Sequence, residues 1–197
     1  ILFSESIEKI LLFNDVGLLG KIIPEFSKID SLPQFDRFHS LSVGQHTLKA
    51  VNILKDLKEE KIKKKTYTFS YNEIKKKFNL KALYYATLFH DIGKGRGGQH
   101  NKRGAKIAKD IVLRFGENIK TAEATFWLVK NHSLLSDVAF KKDFQDHSVI
   151  RNVSEKIKNI PRLRALFLLT VTDISAVEKG LWNNWKSTLL QQLFLKL

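Results

Sequence analysis

His90 and Asp91 stand side by side at the end of an apolar run, Ala82 to Phe89, and directly before a segment with four glycines between Gly93 and Gly98. A neutral imidazole and a carboxylate at one helix end can meet one divalent cation, each in its deprotonated form. Glycine at this density marks a loop that hugs something closely. Within it, Lys94 and Arg96 are candidate phosphate clamps, the arginine by its planar fork and the lysine as a point charge. Solvated loop cations are the plainer reading of the same two residues. A second carboxylate, Asp173, lies in Leu166-Phe-Leu-Leu-Thr-Val-Thr-Asp173-Ile174, a segment apolar on most helical faces. An unpaired charge there costs several kcal/mol, so Asp173 is expected to be paired, protonated or bound to metal. A hydrogen bond to threonine or backbone is the structural alternative. The chain has no cysteine, so any metal must be held by nitrogen and oxygen ligands.

The elements that must position these residues are helical. Three prolines and ten glycines in 197 residues favour long helices over many short strands. A first helix is expected over Glu5 to Phe13, broken by Gly17, Gly20 and Pro24. Ser42-Val-Gly-Gln45 reads as a capping box, opening a helix to about Leu57 with His46 in its first turn. The Ala82 to Phe89 helix carries the His-Asp pair at its end. Further helices are expected from Asn101 to Phe115, from a Thr121 cap to His132, and from Pro161 through Asp173 to about Glu178, stopped by Gly180. The segment between His132 and Pro161 reads as a polar connection that contains His147. The tail, Trp182 to Leu197, is amphipathic and is expected to pack back on the bundle, with Trp182 and Trp185 as packing residues. The lysine-rich stretch from Lys55 to Lys81 reads as a surface excursion between core helices.

The net charge of +14 admits a nucleic-acid or anionic surface. Its source is mainly lysine, and no aromatic residues interleave with the cations as single-strand binding requires, so nucleic acid is not an expected partner. No stretch approaches the about 18 consecutive apolar residues of a membrane span. The first residues lack the basic start of a signal peptide, and cytoplasm is the default compartment. With no methionine anywhere, first position included, the chain is expected to be a fragment of a longer enzyme. It reads as one domain over 1–197 with a helical lead-in over 1–35.

His46, then His90-Asp91, then Asp173 resembles the H…HD…D pattern of the HD phosphohydrolase superfamily. The resemblance implies an all-α, HD-domain helical bundle in which these four residues hold metal. It narrows further. Gly17 to Phe26, Phe35-Asp-Arg-Phe-His39, Gln45-His-Thr-Leu48, Leu88 to Gly98, Trp127-Leu-Val-Lys-Asn-His132, Leu169 to Ile174 and Leu181 to Lys186 are similar, in order, to the central domain of bifunctional PII uridylyltransferase/uridylyl-removing enzymes. The family implies a nucleotidyltransferase domain before this segment and sensing domains after it.

For this chain the resemblance implies metal-dependent phosphodiester hydrolysis, releasing UMP from a uridylylated tyrosine of the PII nitrogen-regulatory protein. The implied partners are uridylylated PII and the UMP moiety. The implied cofactors are one or two divalent ions, with Mn, Fe or Mg foremost. His90, Asp91, Lys94 and Arg96 are the expected catalytic residues. His100 and His132 fall where related enzymes hold a second ion; binding of substrate phosphate or orientation of water is their alternative. His39 is expected to be supporting or structural. Gly44-Gln45 and Gln99/Asn101 depart from the family pattern, which carries acids before the first histidine and Asp and Ser around the fourth. Supporting contacts around the metal are therefore expected to differ. Two other functions stay open: a phosphohydrolase acting on free nucleotides, and a degenerate signal-relay module.

Overall fold

A computed structural model describes residues 8–33, 41–62, 67, 72, 78–177 and 183–197. Among these residues every regular element is a helix, apart from one isolated bridge between Pro33 and Ser42. The all-α class follows.

Two apolar helices form the centre. In α5 (Leu80–Phe89; helices are numbered here in chain order) every side chain from Ala82 to Phe89 is buried. In α10 (Ile160–Ser175) Leu163 and all residues from Ala165 to Thr172 are buried. Helices that are apolar all round have no solvent face and must be enclosed by others. The threonines among them are tolerated because each hydroxyl donates within its own helix: Thr87 to the Leu83 carbonyl, Thr170 to Leu166 and Thr172 to Leu169. Helix α4 (Val43–Lys58) packs on both, burying Ala50, Val51, Leu54 and Leu57. The pair α6 (His100–Arg114) and α7 (Ile119–Asn131) pack against each other, with α7 also against α5. Each large aliphatic side chain so enclosed contributes about 1.5–3 kcal/mol relative to exposure.

The lead-in consists of α1 (Glu8–Asp15), α2 (Leu19–Ile22) and α3 (Pro24–Asp30). Gly17 ends α1 with φ +69°. Pro24 does not break a helix; it begins α3, where its missing N–H costs nothing. Ile10, Leu19, Ile23, Phe26 and Ile29 join the main core. The expected helix start before Glu8 lies outside the described residues, as do His39, Trp182, Glu178, Gly180 and about half of the lysine-rich excursion.

The polar connection expected after His132 is instead two helices, α8 (Leu134–Lys141) and α9 (His147–Ile157). Leu135, Val138 and Ala139 bury one face of α8. Asp146 caps α9 through the Ser148 N–H, and Val153 and Ile157 turn inward. His147 is thus the first residue of a helix. The cap of α7 is Asn118, not Thr121: its side-chain oxygen accepts from the Thr121 N–H at 2.9 Å. The tail forms α11 (Asn184–Lys196), which packs back as expected: Leu190 and Leu193 are buried, and the Phe167 and Phe194 rings lie 4.5 Å apart. Trp185 is 63% exposed. It sits off the Ser187–Leu190–Leu193 stripe that α11 buries, so it is not a packing residue.

Candidate metal centre

Five helix ends converge on one point between α4, α5 and α10. His46 enters from the first turn of α4, where the Ser42 hydroxyl accepts from the Gln45 N–H at 3.1 Å and the Gln45 side chain accepts from the Ser42 N–H at 3.0 Å. Such a cap stabilises a helix start by about 1 kcal/mol, and here it fixes the residue after it. His90 and Asp91 leave the end of α5, and Asp173 comes from the last turn of α10. The Lys49 ammonium donates to the Val177 carbonyl at 3.0 Å, tying α4 to the end of α10. His100 opens α6, and His132 directly follows α7.

The turn after His90 must lie against α6 for His100 to reach the site. A Cβ on Gly93 would stand 2.2 Å from the His100 carbonyl oxygen and 2.6 Å from the Gly104 nitrogen. Only glycine allows that approach.

Two triads result. His46 Nε2 lies 2.9 Å from Asp173 Oδ1, His90 Nε2 lies 3.3 Å from His46 Nε2, and His90 Nε2 lies 3.4 Å from Asp173 Oδ1. Ligands bound to one ion at about 2.0–2.2 Å stand roughly 3.0–3.5 Å apart, so these three atoms have the spacing of a common coordination shell. In the second triad, donor atoms of Asp91, His100 and His132 all lie within 4.8 Å of one another. Asp91 faces both ways, with Oδ2 at 3.3 Å from His90 Nε2 and Oδ1 at 3.8 Å from His132 Nε2.

The ring tautomers suit ligation. His90 Nδ1 donates to the Thr87 carbonyl at 2.9 Å, and His132 Nδ1 donates to the Val129 carbonyl at 2.8 Å. A carbonyl cannot donate, so Nδ1 carries the proton in both rings and Nε2 is left for the centre.

Charge follows the same logic. Burial opposes a charge on His90, but Asp91 and Asp173 outweigh it and raise the imidazole pKa to about 10. Burial likewise opposes the charge on Asp91, yet His90, Lys94 and His132 hold the carboxyl well below its usual range. Asp173 is depressed for the same reason, by His90 and His46 against burial. Burial pushes His132 below its ordinary value, with Asp91 acting the other way. His46, His90, Asp91 and His132 are buried. The mouth is formed by Asp173, with 22% of its side chain exposed, Lys94, with 30%, and half-buried His100.

The HD domain family profile matches residues 39–174, and the chain belongs to that family. With such a His/Asp centre it is a metal-dependent hydrolase. Among curated proteins it is 40% identical, over 93% of its length, to a bifunctional uridylyltransferase/uridylyl-removing enzyme of Zymomonas mobilis. It is 39% identical over 92% to the protein of that name from Azospirillum brasilense, and 36% over 97% to that of Caulobacter vibrioides. It spans about a fifth of the length of these relatives.

All six residues expected to ligate metal are brought together. The two expected clamps differ. The Lys94 ammonium is 2.7 Å from Asp91 Oδ2, at the mouth. Arg96 makes no ion pair with Asp91; its guanidinium lies within electrostatic reach of Glu25 on α3, and its Nε and Nη2 are shielded from solvent with no hydrogen-bond partner among the described residues. Sequence reasoning missed what supports the ligands: Lys49 holding Val177, the Thr87 and Val129 carbonyls, and Asn101, which donates to the Ser133 hydroxyl at 2.9 Å and ties the segment after His100 to that after His132. Asn101 drew notice only as a departure from the family pattern.

Proposed function

We propose that this chain releases UMP from a uridylylated tyrosine of the PII protein by metal-dependent hydrolysis. The observation that carries the reading is the position of Asp91, whose two oxygens face the two triads behind an open mouth. The names of the relatives supply the substrate. His46, His90 and Asp173 would hold one divalent ion and Asp91, His100 and His132 a second, with Mn, Fe or Mg as the proposed metals. Bound there, the metal supplies Lewis acidity at the phosphoryl group. Water oxygen bonds to phosphorus, the bond from phosphorus to the tyrosyl oxygen breaks, and the phenolate, of parent pKa ~10, leaves and takes up a proton. Lys94 sits where a phosphate oxygen entering the mouth would meet its ammonium, and charge placed in advance lowers the barrier. Asp91 holds Lys94 in that place and, with Asp173, keeps His90 oriented. The domain is proposed to span 1–197 within a longer, cytoplasmic enzyme that also carries nucleotidyltransferase activity.

The test offers uridylylated PII and a panel of free nucleotides to one metal-loaded preparation, repeated in the full-length enzyme. Release of UMP from PII, abolished by Asp91→Ala without loss of helicity, is the expected result. Rapid turnover of a free nucleotide with none of the protein overturns the substrate in favour of a small-molecule phosphohydrolase. No hydrolysis of anything by metal-loaded protein favours a signal-relay module.

A further inference from the structure

Beside the metal centre lies an open groove of about 630 Å³ lined by Gly98, Gln99, Lys102, Arg103 and Lys106. Gln99 is the residue before His100, so the groove begins where the second triad ends. Lys102 and Lys106 are exposed, and Arg103 forms the wall, donating to the Gly97 carbonyl at 3.2 Å. Farther along α6 the cations are neutralised: Lys109 pairs with Glu123 and Arg114 with Glu25. Among the described residues Lys102, Arg103 and Lys106 pair with no acid. The nearest acid farther along the helix, Asp110, is one turn beyond Lys106 and makes no ion pair with it. Three like charges within two turns repel one another, and the helix concentrates them next to the mouth.

We propose that this groove binds an acidic, extended segment of the protein substrate flanking the modified tyrosine. The inference rests on the proposed function, and it names a surface of this chain that selects a protein over a small diester. Two features favour a peptide. Lys102 and Lys106 are about 6 Å apart along the helix axis, close to the ~6.6 Å between carboxylates two residues apart on an extended strand. Among the described residues the lining has no aromatic side chain on which a base could stack, as single-stranded nucleic acid requires. An acidic flank held here would lead the phosphodiester toward His100 and the mouth, raising its effective concentration without touching the reacting atoms.

The experiment compares the full chain with Lys102→Glu/Lys106→Glu, and with Lys102→Gln/Lys106→Gln as the milder variant. Both lysines are exposed, so equal melting temperatures are expected. Uridylylated PII and bis-p-nitrophenyl phosphate are the two substrates, each followed from low to high salt. Charge reversal should raise KM for the protein by about tenfold, equivalent to ~1.4 kcal/mol. Its kcat and all constants for the small diester should stay unchanged. The wild-type KM for the protein should rise with salt, and the variant's should not. An unchanged protein KM, or an equal loss on the small diester, overturns the proposal. Cleavage of the diester with none of the protein by wild type defeats the proposed substrate instead. The groove is then judged with a fluorescein-labelled glutamate-rich decapeptide. Salt-sensitive binding lost in the variant supports an acidic-segment site, whereas no binding overturns it. Tighter binding of an oligouridylate that displaces the peptide also overturns it, in favour of a nucleic-acid groove.

Discussion

His46 and Asp173 are 127 residues apart in the chain, yet Nε2 of one stands 2.9 Å from Oδ1 of the other. Their contact joins the start of α4 to the end of α10. Removing the carboxylate leaves the buried imidazoles of His46 and His90 without their shared acid, a loss of about 3 kcal/mol for a group this enclosed. Asp173→Ala should therefore lower the melting temperature of metal-free protein. Added Mn²⁺ should stabilise wild type more than the variant, which keeps at most the second-triad ion, because each ion bound to the folded state shifts the equilibrium. Equal stabilisation of both would make Asp173 a purely structural acid.

The charge on His90 gives metal-free protein a pH signature. Its folded pKa is raised to about 10 from an ordinary 6.5. The stabilisation this provides is fully present below the unfolded value and is lost as pH rises through the folded one. Metal-free protein should thus weaken between about pH 6.5 and pH 10. Metal affinity should rise over the same interval, since a bound ion needs the Nε2 lone pair. Calorimetry at pH 7.5 in buffers of different ionisation enthalpy reads the expected proton release; uptake without release would contradict it.

Lys94 and Arg96 should separate in function despite their spacing. Lys94→Ala should lower kcat on a small phosphodiester by about a hundredfold, with the metal retained. Arg96→Ala should leave kcat nearly unchanged and lower stability instead, since its guanidinium lies within electrostatic reach of Glu25 and its Nε and Nη2 are shielded from solvent. Equal losses of kcat in the two variants would restore the paired-clamp reading.

At acid pH the Glu25–Arg114 pair offers a control remote from the centre. Both guanidinium nitrogens lie 2.8 Å from the carboxylate oxygens, and the Arg114 hydrogen bond lowers the Glu25 pKa below 4.5. A depressed carboxyl contributes stability above its unfolded pKa and loses it as pH falls through the folded one. Glu25→Gln should cost less than about 1 kcal/mol at neutral pH, as expected of a half-exposed pair. The difference from wild type should vanish in urea titrations at low pH.

What was legible in the sequence depends on range. Local chemistry was readable: the Ser42–Gln45 box, the His-Asp turn before its glycines, and the apolar helix around Asp173 are each written within a few residues. Helices α8 and α9 were not recognised, because polar residues such as Ser133, Ser136, Asp143 and Asp146 obscured short apolar periods at Leu135–Ala139 and Val149–Ile157. The Asp146 cap was the signal that could have found α9. Long-range support was beyond reach. Nothing near Lys49 points to Val177, and Asn101 meets Ser133 only because α6 and α7 pack side by side. Trp185 misled because an aromatic residue in an amphipathic tail suggests burial, while the face that α11 buries runs elsewhere.

The metal content of the purified protein tests the two-triad centre most directly. Elemental analysis after metal-replete dialysis should find about two ions per chain in wild type and about one in His100→Ala and in His132→Ala. Asp173→Ala should retain no more than the second-triad ion. One ion in wild type, unchanged by His100→Ala and His132→Ala, would contradict a dinuclear centre and assign those histidines to substrate.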